Sequence, residues 1–111
     1  MTNIQDFLDT VLEREFNVSE TEYLLRYTNK VVWMTWGVTK ISYYASKALA
    51  IWVNGNHHVG YVAITLAGND TYTYYLLNQD YTVKKKATNI YFDELQHRID
   101  MDIEFLPEYN F

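Results

Sequence analysis

Few residues in this chain have the types and spacing that could do chemistry. His57 and His58 are adjacent; in a tight connection they could offer nitrogen ligands to a metal, yet neighbours on an extended chain point apart, and no Asp, Glu or Cys stands at a ligand-like spacing. They read as solvent-facing turn residues. His97 has Asp93 four positions before it and Asp100 three after, so a helix would set both carboxylates beside the ring, a local electrostatic arrangement rather than a catalytic one. Ser42 and Ser46 lack the strand-to-helix elbow of a hydrolase nucleophile, and no glycine-rich loop offers a phosphate cradle. The expectation is a non-catalytic protein with no metal site and no cofactor.

Binding chemistry is better represented. Asp100, Asp102 and Glu104 alternate with Met101, Ile103 and Phe105, and with Asp93 and Glu94 they make an acidic segment. Such a face could stand in for phosphate against a basic cleft. Aromatic residues offer a second route: Trp33, Trp52, Tyr61, Tyr72 and Tyr74 are expected on one face of a sheet, where Tyr and Trp suit a protein interface or a homodimer. Rings also stack on nucleic-acid bases, with Lys30, Lys40, Lys47 and Lys84, Lys85 and Lys86 available for phosphates.

Positioning these groups falls to elements that periodicity outlines. Ile4, Phe7, Leu8, Val11, Leu12 and Phe16 follow a helical stripe, with Thr2 and Gln5 at capping-box spacing and Asn17 as a left-handed terminator. Residues 20–28 read as a short second helix or a strand, with Ser19 and Glu22 repeating the capping-box spacing. After Lys30 the period becomes alternating. Val32 and Met34 flank Trp33; Leu49, Ile51 and Val53 alternate with Ala48, Ala50 and Trp52; Val62, Ile64 and Leu66 alternate with Tyr61, Ala63 and Thr65; Tyr72, Tyr74 and Leu76 follow. Successive strand side chains point to opposite faces, so the reading is a sheet with one aliphatic and one aromatic face.

Turn residues at Asn54-Gly55-Asn56, Ala67-Gly68-Asn69-Asp70 and Asn78-Gln79-Asp80 imply short antiparallel connections. Gly37 marks a bulge or bend in the first strand, which Ile41 to Tyr44 could resume. Tyr81 to Lys86 is a candidate edge strand, its lysines deterring association. From Ile90 the spacing of Phe92, Leu95, Ile99 and Ile103 is helical again, with Thr88 or Asn89 as N-cap, although 99–105 also alternates like a strand. Pro107 ends regular structure, leaving a tail that Tyr109 and Phe111 could anchor. The predicted fold is α+β: an antiparallel four- to five-stranded meander with the N- and C-terminal helices on one face.

Size and composition bound the alternatives. One domain, residues 1–111, is the natural unit for this length. Cysteine is absent, which excludes disulfides and thiolate metal sites and fits a reducing compartment. The start lacks the basic flank and apolar run of a signal peptide, and no apolar stretch is long enough to span a bilayer; the expectation is a cytoplasmic protein without membrane contact. The net charge of −5 is unevenly spread: residues 31–86 carry two acids and five lysines, whereas residues 87–111 carry six acids and one arginine. An acidic end discourages general attraction to nucleic-acid backbones.

The segments Val32-Trp33-Met34-Thr35, Val62 through Tyr72 and Ile90-Tyr91-Phe92-Asp93-Glu94-Leu95-Gln96 resemble a group of small phage and mobile-element proteins. That group carries an MTGAKNF-like segment, an ITLNGxDTY-like hairpin and a VYxDxLQ-like helix start. The likeness covers roughly residues 31–103 in the same order; here Trp36 precedes Gly37, and Met101-Asp102-Ile103 replaces a Thr-Gly-Leu ending. The resemblance implies a phage or mobile-element origin and an infected or element-carrying bacterial host. It assigns no activity to any residue. The resulting expectation is a binding protein that occludes a host protein, an anti-CRISPR-like inhibitor of a nucleic-acid-handling defence nuclease; the alternative is a single-stranded nucleic-acid accessory protein.

Overall fold

The computed structural model describes residues 4–104. Thr2 and the segment 105–111, with Pro107, Tyr109 and Phe111, lie outside the described residues.

Ile4, Phe7, Leu8 and Val11 form one side of α1, Ile4–Val11, and Phe7 and Leu8 are buried. The stripe predicted a helix reaching Phe16. It stops early because the next apolar residues belong to opposite sides of the sheet: Leu12 joins the cluster around Phe7, whereas Phe16 lies edge-on to Tyr72 at 6.0 Å in the other cluster. A continuous helix would carry both on one stripe. Residues 12–17 instead wrap around the end of the sheet, tethered where the Phe16 amide donates to the Ser46 carbonyl at 3.0 Å and Arg14 pairs with Asp70.

Asn17 then accepts a hydrogen bond from the Glu20 amide at 3.0 Å and starts α2, Val18–Tyr27, so residues 20–27 are helical. Asn29 does the same for α3, Lys30–Thr35, accepting from the amides of Val31 and Val32 at 3.0 and 3.3 Å. This corrects the strand expected around Val32, Trp33 and Met34. Two positions apart on a strand, Val32 and Met34 would share a face; on the helix Val32 packs on the core while Met34 is 76% exposed. Helix α3 ends at Trp36, followed by Gly37 at φ +61°, a conformation that suits glycine.

The sheet consists of β1 Lys40–Tyr44, β2 Ala48–Asn54, β3 Val59–Leu66, β4 Tyr72–Leu77 and β5 Val83–Ile90, all antiparallel and in sequential order. A 3₁₀ turn, Phe92–Glu94, leads into α4, Leu95–Ile103. The chain is thus an α+β protein, a five-stranded antiparallel meander with helices at both ends. The run 99–103, ambiguous by alternation, is helical because Ile99 and Ile103, one turn apart, both enter the core.

Both faces of this sheet are covered. Leu49, Ile51, Val53, Val62, Ile64, Tyr72, Tyr74 and Leu76 pack under α2, α3 and α4 with Leu25, Trp36, Leu95, Ile99 and Ile103. On the reverse face α1 sets Phe7 and Leu8 against Ala48, Ala50, Ala63, Tyr61, Tyr75 and Leu77. The N-terminal helix therefore lies opposite the C-terminal one, not beside it. Ala48, Ala50 and Ala63 are fully buried, and their small side chains let the helix approach while Phe7 meets Tyr75 edge-on at 5.3 Å.

Candidate protein-docking surface

The five aromatic residues expected on one face are divided among three locations. Tyr72 and Tyr74 point into the helix-covered interior: the Tyr72 hydroxyl lies 2.8 Å from Thr21 Oγ1, and Tyr74 donates to the Arg98 carbonyl at 3.2 Å and to Asp102. Burial raises the pKa of both phenols, and the bond to Asp102 adds to the effect at Tyr74. Trp33 sits on α3. Trp52 and Tyr61 do share the α1 side, edge to face at 5.1 Å, with Lys40 Nζ 5.7 Å from the Trp52 ring and Tyr81 stacked on Tyr61 at 6.2 Å. A tyrosine carries an apolar body and a polar tip, so alternation alone could not say whether Tyr74 sits outside or lies beside Ile64 with its hydroxyl reaching a helix.

Most of the acidic segment is bonded within the molecule. Asp100 Oδ1 accepts the Trp36 indole N–H at 2.9 Å; Asp102 accepts from Tyr74 and, at 2.7 Å, from Lys85; Glu104 accepts from the Asn56 amide and side chain at 2.8 and 2.9 Å. Glu94 accepts from the Tyr91 amide at 3.1 Å and faces Arg98 at 3.7 Å. Asp93 is exposed. The lysine run is dispersed too: Lys84 donates to the His57 carbonyl at 2.6 Å, Lys85 pairs with Asp102, and Lys86 Nζ lies 5.7 Å from the Tyr75 ring.

His58 is not the solvent-facing residue that its turn position predicted. Its ring is buried, with Nε2 donating to the Tyr61 carbonyl at 3.2 Å. Desolvation lowers its pKa, with nearby Lys84 acting in the same direction. Among the described residues no three His, Cys, Asp or Glu side chains gather in a way that could hold a metal ion, and no helix is long and apolar enough to cross a membrane.

What the molecule does present is a surface on α2, α3 and the 3₁₀ turn. Glu20, Tyr23, Leu24, Tyr27, Thr28 and Phe92 line an open hollow of about 520 Å³. A second hollow of about 250 Å³ is lined by Arg26, Tyr27, Lys30, Trp33 and Met34, so Tyr27 belongs to both. Tyr23 is 63% exposed and Tyr27 and Phe92 46% each, although the two tyrosine rings lie 4.5 Å apart. Lys30 Nζ stands 5.1 Å from the Tyr27 ring, and Arg26, paired with Glu22 at 2.9 Å, lies 5.8 Å from the Trp33 ring.

Two hydrogen bonds tie this surface to α4. Gln96, buried at the start of α4, donates through Nε2 to the carbonyls of Leu25 at 2.7 Å and Asn29 at 3.0 Å. Those carbonyls lie at the end of α2 and the turn into α3, where helical partners run out. The 3₁₀ turn brings Phe92 to 6.5 Å from Tyr72, at the edge of the hollow.

Sequence reasoning passed over Tyr23, Tyr27, Met34 and Phe92. One signal was present: α2 carries a buried stripe, Val18, Thr21 and Leu25, and a second stripe at i, i+3, i+4 and i+7 formed by Glu20, Tyr23, Leu24 and Tyr27. A helix with two such stripes has two surfaces to satisfy. Fold and surface together define an α+β meander with an apolar, aromatic helical face. Comparison with protein-family models, curated proteins and solved structures gives no match to this chain.

Proposed function

We propose that this is a non-catalytic binding protein of phage or mobile-element origin that acts by covering a surface of a host protein, with Tyr23, Tyr27, Phe92 and Met34 as its contact residues. One observation carries the reading: these large side chains are exposed together around two hollows joined at Tyr27. Contiguous exposed apolar surface on a small protein is characteristic of a contact site, and exposed tyrosines combine contact area with a polar tip. A nucleic-acid-handling defence nuclease is the proposed target class, suggested by the small size, the acidic ends of the chain and the resemblance to phage and mobile-element proteins together. The structure favours occlusion through the aromatic surface over phosphate mimicry, because Asp100, Asp102 and Glu104 already have internal partners.

The test is affinity capture from a bacterial host lysate with the wild-type chain and with the Tyr23→Asp/Tyr27→Asp variant. A protein retained by the first and lost by the second supports the reading; equal retention places the contact elsewhere. Tight, salt-sensitive binding of a single-stranded oligonucleotide would move the protein into the nucleic-acid class.

A further inference from the structure

The smaller hollow, where α2 meets α3, has a charge opposite to that of the chain as a whole. Arg26, Tyr27, Lys30, Trp33 and Met34 line it, two bases and no acid, in a protein whose net charge is −5. Arg26 is set in place by the molecule itself. The Tyr43 hydroxyl donates to Glu22 Oε1 at 2.7 Å, Glu22 Oε2 lies 2.9 Å from Arg26 Nε, and the guanidinium carbon stands 5.8 Å from the Trp33 ring. A guanidinium met at Nε still has donors for a second carboxylate. Lys30 is exposed, with its amine 5.1 Å from the Tyr27 ring and no ion-pair partner among the described residues.

A positioned guanidinium beside an amine suits a carboxylate, and the exposed Tyr27 and Met34 next to them suit a large apolar side chain. The same cations could face a phosphate, but the rings are poorly placed for nucleic-acid bases. Trp33 is engaged by Arg26 and by Trp36 at 5.5 Å, and Tyr27 by Lys30 and by Tyr23 at 4.5 Å, which leaves little ring face for stacking. Glu20, lining the adjoining hollow, would repel a phosphate chain continuing past Tyr27. A peptide segment with one well-placed acid avoids that conflict.

We infer that the partner of this surface is a protein segment carrying an Asp or Glu close to a large apolar side chain, its carboxylate meeting Arg26 and Lys30 and its apolar group lying against Tyr27 and Met34. This rests on the reading of the surface as a docking site and adds the chemistry of what docks. The test selects a displayed library of random peptides on the full chain and discards those that also bind Tyr23→Ser/Tyr27→Ser, a variant that removes the rings without adding charge. The remaining peptides should be enriched in Asp or Glu near Trp, Phe, Leu or Met. By fluorescence anisotropy, one of them should bind Lys30→Glu and Arg26→Gln each about tenfold more weakly than wild type. Exchanging its acid for the amide should cost about tenfold on wild type but less than about threefold on Arg26→Gln, because the two changes remove the same contact. Remaining peptides without an excess of acids, or an amide exchange equally costly on both proteins, would overturn the acidic partner and leave the docking surface standing. A library with no binder lost by Tyr23→Ser/Tyr27→Ser would overturn both. Displacement of the peptides by a single-stranded oligothymidylate would give the hollow to nucleic acid and overturn the peptide assignment.

Discussion

The indole nitrogen of Trp36 donates to Oδ1 of Asp100 at 2.9 Å, joining the end of α3 to α4 across 64 residues of sequence. Trp36 is fully buried, so this bond places a carboxylate sought as a partner-binding group inside the architecture. Trp36→Phe should cost about 2–4 kcal/mol, from lost volume and an acceptor without its donor. Asp100→Asn keeps an acceptor and should cost less, about 1 kcal/mol. Urea unfolding of both and of the double variant measures the coupling, and additive costs would rule the bond out as a stabilising link.

Tyr74 and Asp102 form a similar bridge, extended to the β5 edge by Lys85 at 2.7 Å. Tyr74→Phe keeps the ring beside Ile64 but removes the donor to the carboxylate, for an expected loss of about 1–3 kcal/mol. Lys85 is half-exposed, and Lys85→Ala should cost less than about 1 kcal/mol. Denaturation midpoints reversing that order would contradict the assignment.

His58 predicts a pH dependence. Its ring binds a proton less readily in the folded protein than at the ordinary value of 6.5 because burial disfavours the cation. The unfolded chain therefore takes up more protons on acidification, and the stability contribution, fully present above pH 6.5, is lost as pH falls below it toward the folded pKa. Urea midpoints should drop between pH 7 and pH 5, and His58→Gln should flatten that slope. An unchanged slope would remove His58 as its source.

Thr65 is fully buried and its hydroxyl has no hydrogen-bond partner in the structure. Valine has nearly the same shape without the polar atom, so Thr65→Val should raise stability by about 1 kcal/mol. A fall of that size in chemical denaturation would show that the hydroxyl is satisfied.

Gly60 lies where the backbone of β3 leaves no room for a side chain beside β4. Its φ is +151°, and a Cβ there would lie 2.3 Å from the Leu77 carbonyl oxygen. Gly60→Ala should therefore destabilise by roughly 1–3 kcal/mol and speed hydrogen exchange in β4. Unchanged exchange would mean the strand pair can absorb the methyl.

Much of the sheet was legible because alternation and turn residues are local signals. Ile51, Ile64 and Leu49 lie buried on the aliphatic face, and the connections at Gly55, Gly68 and Gln79 lead from strand to strand. Helix α3 was misread because three residues, Val32 to Met34, are too few to separate a period of two from one of 3.6. Asn29, whose side chain caps that helix, was its one local marker.

Composition and periodicity determined the α+β class, the antiparallel meander and the terminal helices, since each depends on residues close together in the chain. Tertiary structure alone decided that α1 crosses the reverse face, that Tyr74 is interior while Tyr27 is exposed, and that Asp100 serves Trp36. The physical reason is that a side chain's periodicity fixes its direction relative to its own element, whereas its burial depends on what distant segment arrives over it. Ala48, Ala50 and Ala63 form a seat only once Phe7 lies on them, and Tyr23 and Tyr27 share a hollow with Phe92 once α2 packs beside the start of α4, where Gln96 bonds its last turn.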